Sequence, residues 1–173
     1  GHDSAIEHSY VEAMSDLRVR AIFVTSVNDR IEDAGTCPII YVHSAPPGAT
    51  GNSILFDDFE GGVLATRHLI SLGFREIACL AGDMDFGPFL QRRLGWQHAM
   101  DEAGLPSRGL HYHVASDRLE AAAQIRRIVE LNRSLEAIFA TSDEQALAAL
   151  RAAAELGIKV PDEIAVVGFD GIR

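Results

Sequence analysis

Short apolar runs alternate with amphipathic stretches of helical length along this chain, and that alternation limits its fold more than any other feature. Residues 19–25 (VRAIFVT), 38–42 (PIIYV), 53–56, 76–81 (EIACLA), 112–115, 136–141 (EAIFAT) and 164–167 read as strands. Several are apolar throughout and rich in β-branched residues, which suits strands buried on both faces of a parallel sheet. Helices are predicted between them. Ile6, Tyr10, Met14 and Leu17 recur at helical spacing, and residues 61–72 form a helix closed by Gly73. Trp96, Ala99, Met100 and Ala103 share a face of a helix that Gly104 ends. Asp117 with Glu120, and Ser142 with Gln145, are capping-box patterns. The first precedes Ala121, Ile125, Ile128 and Val129; the second opens a helix that runs to Gly157 with Leu147, Leu150 and Ala154 inward. A polar segment at 29–33 leads to Gly35, a helix stop, and 44–52 (SAPPGATGN) and 82–88 are the most loop-like stretches. Strand and helix in alternation predict doubly wound parallel α/β layers with right-handed crossovers.

Charge narrows the functions such layers can serve. The chain has 173 residues, with 15 Lys and Arg against 25 Asp and Glu, a formal charge of −10. That balance argues against a broad nucleic-acid-binding face on this piece. Cys37 and Cys79 lie beside apolar runs and read as small buried residues of a reducing compartment. No apolar run approaches the length of a membrane span, and no secretory signal opens the chain. Gly-x-Ser-x-Gly, a P-loop and a glycine-rich dinucleotide fingerprint are all absent from the sequence, so no enzyme chemistry is specified and no cofactor is implied.

Polar residues cluster just past the predicted strands: His43 and Ser44, Asp83 and Asp85, Ser116, Ser142 and Asp143, and Asp170. In a parallel sheet these converge on one edge, where open α/β folds hold ligands. The last run ends in Gly168-Phe169-Asp170-Gly171, where glycines permit a sharp turn. Asp170 serves there either as a turn residue or as an acceptor for ligand hydroxyls. Arg92 offers a planar fork to a ligand, or else sits on a solvated helix face. The glycines at 61 and 62 open a helix, where they favour an anion or let the helix pack closely on the sheet. His111 and His113 put two imidazoles on one strand face; with no carboxylate or cysteine in the tract, no metal site is expected.

An ordered series of motifs resembles the effector-binding core of the LacI/GalR transcriptional regulators. It comprises Asp57-Asp58-Phe59-Glu60-Gly61-Gly62, then His68-Leu69-Ile70, then Leu72-Gly73-Phe74-Arg75-Glu76-Ile77. Arg92-Arg93-Leu94-Gly95-Trp96, Ala137 to Asp143 and Val160 to Asp170 complete it. The resemblance implies a periplasmic-binding-protein-like type I fold of two Rossmann-like lobes, the first incomplete. Residues 1–57 then belong to the amino-terminal lobe and 58–173 to the carboxy-terminal lobe. The family's DNA-binding headpiece, first core strand and last crossovers have no counterpart in the sequence, so the chain reads as an internal fragment.

The same resemblance implies an effector site drawn from Asp170, Arg92, His43, Ser142, Asp83 and Phe56. Ser142 stands where the family commonly has Asn, and a hydroxyl has shorter reach and one donor; helix capping is its other role. His43 either lines the pocket or is a structural histidine. The function implied is the ligand-sensing core of a cytoplasmic, homodimeric regulator. It binds a small sugar-like or purine-like effector and controls operator DNA through a head outside this chain. A periplasmic sugar-binding protein of a transport system is the alternative, and a flavodoxin-like enzyme or response module is a third class.

Overall fold

A computed structural model describes residues 4–25, 37–45, 52–82 and 87–172. The predicted segment at 29–33, its stop at Gly35, most of the 44–52 loop, and Asp83 with Asp85 lie outside the described residues. The chain divides into two compact units, Gly1–Phe56 and Asp57–Arg173.

The first unit holds helix α1 (Ser4–Asp16) and strands β1 (Ile22–Val24), β2 (Ile39–Val42) and β3 (Asn52–Ile54). The strands are parallel in the order β1-β2-β3, with Phe23 opposite Ile40 and Tyr41 opposite Ser53. Alternate side chains point to one face, so Ile22, Val24, Ile39 and Tyr41 join Cys37 and Val11 in a small core. The helical stripe is placed differently from the sequence expectation. Ile6, Tyr10 and Met14 are exposed, Leu17 lies past the helix, and Val11 is the buried contact. Periodicity marks an apolar stripe but not its partner, and this three-stranded sheet covers little of a helix face.

The second unit is a four-stranded parallel sheet, ordered β5-β4-β6-β7, with helices on both faces. Its strands are β4 (Ile77–Ala81), β5 (His111–His113), β6 (Ala137–Ala140) and β7 (Ala165–Val167). The helices are α2 (Asp58–Ser71), α3 (Gly87–Glu102), α4 (Arg118–Leu131) and α5 (Asp143–Leu156). Ala78, Leu80 and Ile138 face a cluster with Ile125 of α4 and Ala149 of α5. Ile77, Cys79 and Phe139 face the other side, with Leu69 of α2 and Trp96 and Met100 of α3. Adjacent strand residues thus feed opposite cores, which is why β4 and β6 are apolar at every position. The doubly wound α/β expectation holds for this unit.

Several local expectations shift. The run at 164–167 is an edge strand among the described residues, so Val166 and Val167 are half-buried instead of covered on both faces. β5 starts one residue earlier than expected, where pairing with β4 fixes it: Cys79 lies opposite His111 and Ala81 opposite His113. Ala103 lies beyond α3 and is exposed. On α5 the inward face is Ala146, Ala148, Ala149, Ala152 and Ala153, while Leu147 and Leu150 are each 41% exposed. Alanine lets a helix approach its neighbours closely, and that approach turns the larger leucines outward. The caps form as expected. Asp117 accepts from the amides of Leu119 and Glu120 at 3.0 Å, and Gly157 ends α5 in the left-handed region at φ 71°.

Helix α2 begins at Asp58, capped by Asp57, whose carboxylate accepts from the Glu60 amide at 2.9 Å. Gly61 and Gly62 therefore sit inside its first turns and do not open it. Their close packing is against neighbours other than the sheet. A Cβ on Gly62 would collide with the Arg92 backbone of α3, and one on Gly95 with the Phe59 backbone of α2. The two glycines let α2 and α3 touch backbone to backbone, while Gly61 leaves room for the Phe169 ring.

Candidate functional site

The carboxyl ends of β6 and β7 meet the first turn of α2 and the middle of α3 around one side chain, Arg92. Arg92 is only 3% exposed, so it is not a solvated helix residue. Its Nε donates to Asp58 Oδ1 at 2.7 Å, and its Nη1 donates to the Thr141 carbonyl at 2.7 Å and to Asp170 Oδ1 at 3.0 Å. The Phe169 ring lies against the guanidinium with its centroid 3.7 Å from Cζ, and Phe89 lies 5.8 Å away. A buried cation is tolerated when its donors are bonded and its charge is matched, and here two carboxylates and an aromatic face do both.

Asp170 carries this arrangement to the surface. Its side chain is 36% exposed while that of Arg92 is 4% exposed. Oδ1 is fixed by Arg92, and Oδ2 accepts from the Asp143 amide at 3.4 Å. Each carboxylate oxygen has two lone pairs, so Asp170 keeps acceptor capacity toward solvent or a ligand. Asp143 braces the same loop from behind. Its Oδ1 accepts from the Phe169 amide at 3.0 Å and its Oδ2 from the Ile172 amide at 2.7 Å. Gly168 permits that approach, because a Cβ there would meet the Asp143 carboxylate.

The structure brings Arg92 and Asp170 together and sets Ser142 beside them. Ser142 is buried and caps α5, its hydroxyl accepting from the Gln145 amide at 3.4 Å. Its neighbour Thr141 donates its hydroxyl to Gln145 Oε1 at 2.9 Å, which ties the end of β6 to α5. His43 and Phe56 belong to the first unit, where their rings meet edge to face with centroids 5.5 Å apart. His43 has φ 72°, left-handed for a non-glycine residue, and its amide donates to the Ile54 carbonyl at 2.9 Å. Asp83 lies outside the described residues.

Sequence reasoning missed Asp58, Thr141, Phe169 and the bracing role of Asp143. Asp58 was visible as the second member of an acidic pair whose first member caps α2. Its pairing with Arg92 across 34 residues had no local signal.

On β5 the rings of His111 and His113 meet with centroids 4.6 Å apart, and His113 Nδ1 lies 3.0 Å from the Gly82 carbonyl oxygen. Among the described residues, no group of three or more His, Cys, Asp or Glu is placed to hold a metal ion. No described helix is long and apolar enough to cross a membrane.

Residues 66–172 match the family described as the periplasmic binding protein-like domain. Among curated relatives, the chain is similar to the HTH-type transcriptional regulator DegA of Bacillus subtilis, 31% identical over 98% of this chain and 52% of that protein. It is also similar to the HTH-type transcriptional repressor PurR of Vibrio atlanticus, at 27% over 96% of this chain and 52% of the repressor. The chain thus spans about half the length of the curated relatives it matches. Among solved structures, a complex of the transcriptional regulator CelR with cellobiose superposes with a TM-score of 0.81 at 29% identity, over 94% of this chain and 53% of that one. A sugar-binding LacI-family regulator from Escherichia coli, complexed with phosphate, gives 0.82 at 25% identity over 99% of this chain and 64% of its own. The chain belongs to the periplasmic binding protein-like domain family, and the relatives and solved structures it is similar to include LacI-family transcriptional regulators.

Proposed function

We propose that this chain is the sensing piece of a LacI-type regulator and that Asp170, held by Arg92, is a principal contact for a small polar effector. One observation carries the reading: a half-exposed carboxylate at a strand's carboxyl end is fixed by an arginine that is itself buried and bonded. Such a carboxylate accepts hydrogen bonds without reorganising, and pre-organisation raises affinity by reducing the ordering cost of binding. Asp58 and Asp170 both pair with a single cation there, so the site favours a neutral ligand rich in hydroxyl or N–H donors over an anion. A sugar or a purine-like base has that chemistry. The cellobiose held by CelR is an example from a similar protein.

His43, Phe56, Ser142 and Asp83 remain proposed contributors to effector binding. Binding then shifts an equilibrium between two arrangements of the whole protein, and a helix-turn-helix head outside this chain reads the shift on operator DNA. The working unit is a cytoplasmic homodimer that performs no chemistry on its ligand. Regulators among the relatives favour this reading over a transport protein.

The test is calorimetric titration of the whole protein with neutral sugars, cellobiose first, and with purine bases. A saturating response that Asp170→Ala weakens supports the assignment. A ligand that binds equally well to wild type and to a folded Asp170→Ala variant refutes it.

A further inference from the structure

A second polar pocket lies along the flank of α3. Arg92 and Trp96 stand one turn apart on the buried face of that helix, and the residue following each, Arg93 and Gln97, projects beside it. Arg93, Trp96 and Gln97 form one wall of a cavity of about 230 Å³. Ser107, Arg108 and Gly109 of the loop before β5 form the other, with His111 also in contact. The volume suits a small ion or a compact metabolite.

Two features bear on what this pocket can hold. Five described arginines make ion pairs: Arg67 with Glu102, Arg92 with Asp58, Arg118 with Glu144, and Arg126 and Arg151 with Glu155. Among the described residues Arg93 and Arg108 make no ion pair or hydrogen bond, and no carboxylate among them lines the cavity. Trp96 is the second feature. It is 1% exposed, yet its indole N–H has no hydrogen-bond partner among the described residues. A buried donor without an acceptor is costly and rare. Ser107 does not add a donor, because its hydroxyl is given to Asp101 at 2.9 Å. The wall therefore offers two guanidinium groups and the Gln97 amide, a set of donors with net positive charge, beside the buried Trp96 ring.

We propose that this pocket is an oxyanion site, filled by inorganic phosphate or by the phosphate of a small phosphomonoester. Arginine forks match the oxygens of a phosphate and form charge-assisted bonds to them. The ligand class is opposite to that favoured at Asp170, where the exposed group is an acceptor. The proposal does not depend on the effector reading, since the two sites share no lining residue. They do share α3, so an anion that orders its flank is placed to influence Arg92.

Trp96 is the only tryptophan in the chain, so its indole resonance reports this pocket alone. The experiment titrates the chain with phosphate, with glycerol phosphate and with acetate, at constant ionic strength set by chloride, and follows that resonance. We expect a saturating shift with phosphate or glycerol phosphate that weakens roughly tenfold or more in Arg93→Gln/Arg108→Gln, as the loss of charge-assisted bonds requires. Saturation with glycerol phosphate alone identifies the phosphomonoester as the source, and saturation with both identifies phosphate as sufficient. A linear response shared with acetate, no response to either phosphate, or equal binding by the folded double variant would overturn the proposal.

Discussion

Asp58 Oδ1 lies 2.7 Å from Arg92 Nε, and both side chains are almost fully buried, at 5% and 4% exposure. This bond fixes the guanidinium by its Nε edge and so aims Nη1 at the Thr141 carbonyl and at Asp170. Asp58 is a positioning residue, one step behind the proposed ligand contact.

Removing one partner of a buried pair strands the other charge, at a typical cost of about 3–5 kcal/mol. Asp58→Ala should destabilise the chain by an amount in that range. Asp58→Asn keeps an acceptor for Nε and should cost less than Asp58→Ala. Urea denaturation read by Trp96 fluorescence gives both values. A loss below about 1 kcal/mol for Asp58→Ala, the level of an exposed pair, would show that the buried bond has little energetic weight.

Asp170 should behave in the opposite way. Its side chain is 36% exposed, so truncation leaves Arg92 with Asp58, Thr141 and the Phe169 face. We expect Asp170→Ala to stay folded and to lose about 1.5–3 kcal/mol of effector affinity, the range for a hydrogen bond to a charged group. Calorimetry on the whole protein, beside a thermal melt, separates these two quantities. A large drop in melting temperature would mean that Asp170 serves folding more than binding.

The order of elements was legible in the sequence because most strands are short apolar runs and helices α2, α4 and α5 carry their own caps. Asp117 and Gly157 act within a few residues of themselves, and their roles were read correctly. The facing of α5 was not legible. Alanines and leucines both repeat at helical spacing there, and the choice depends on how closely neighbouring elements approach. The Arg92 cluster was half legible: Arg92 and Asp170 carry family motifs, whereas contacts spanning 34 and 78 residues leave no local pattern. The close contact of α2 with α3 was read as helix on sheet, since glycine reports a close approach without naming the partner.

Gly62 and Gly95 test that contact by the sign of an effect. In a helix interior, alanine is favoured over glycine by about 0.8–1 kcal/mol. Propensity alone therefore predicts that Gly62→Ala and Gly95→Ala stabilise the chain. Each added Cβ would instead meet backbone of the facing helix, which cannot swing aside as a side chain can. Overpacking costs about 1–3 kcal/mol, so both variants should be less stable than wild type. Stabilisation by either, measured by chemical denaturation, would show that α2 and α3 can separate without penalty.

Cys79 lies in the centre of β4, wholly buried, and burial pushes its thiol well above the ordinary thiol range, only partly opposed by the charge of Arg93. The folded thiol stays neutral where the unfolded one begins to ionise. Its contribution to stability is thus complete below the ordinary thiol value and declines as pH rises past it. Alkylation with iodoacetamide at mildly alkaline pH should leave Cys79 unmodified in the native chain and modify it fully in urea. Native labelling at Cys79 detected by peptide mass spectrometry, with the fold intact, would contradict its shielding.

The two units should differ in local stability for reasons visible strand by strand. β4 has a neighbour on each side and is buried at every residue, so its amides are released only when most of the second unit opens. β1 pairs with β2 alone among the described residues, Phe23 on it is 67% exposed, and all three residues of β3 are exposed. Few apolar contacts oppose the opening of this sheet, and its edge bonds face solvent. Hydrogen exchange on the dilute chain should therefore show amides of Ile22–Val24 and Asn52–Ile54 exchanging far sooner than those of Ile77–Ala81. An exposed parallel edge beside an apolar side chain also favours association, so protection of β1 should rise with protein concentration while that of β4 stays constant. Equal protection of β1 and β4 at every concentration would show that the first unit is held by contacts other than those of its own small core.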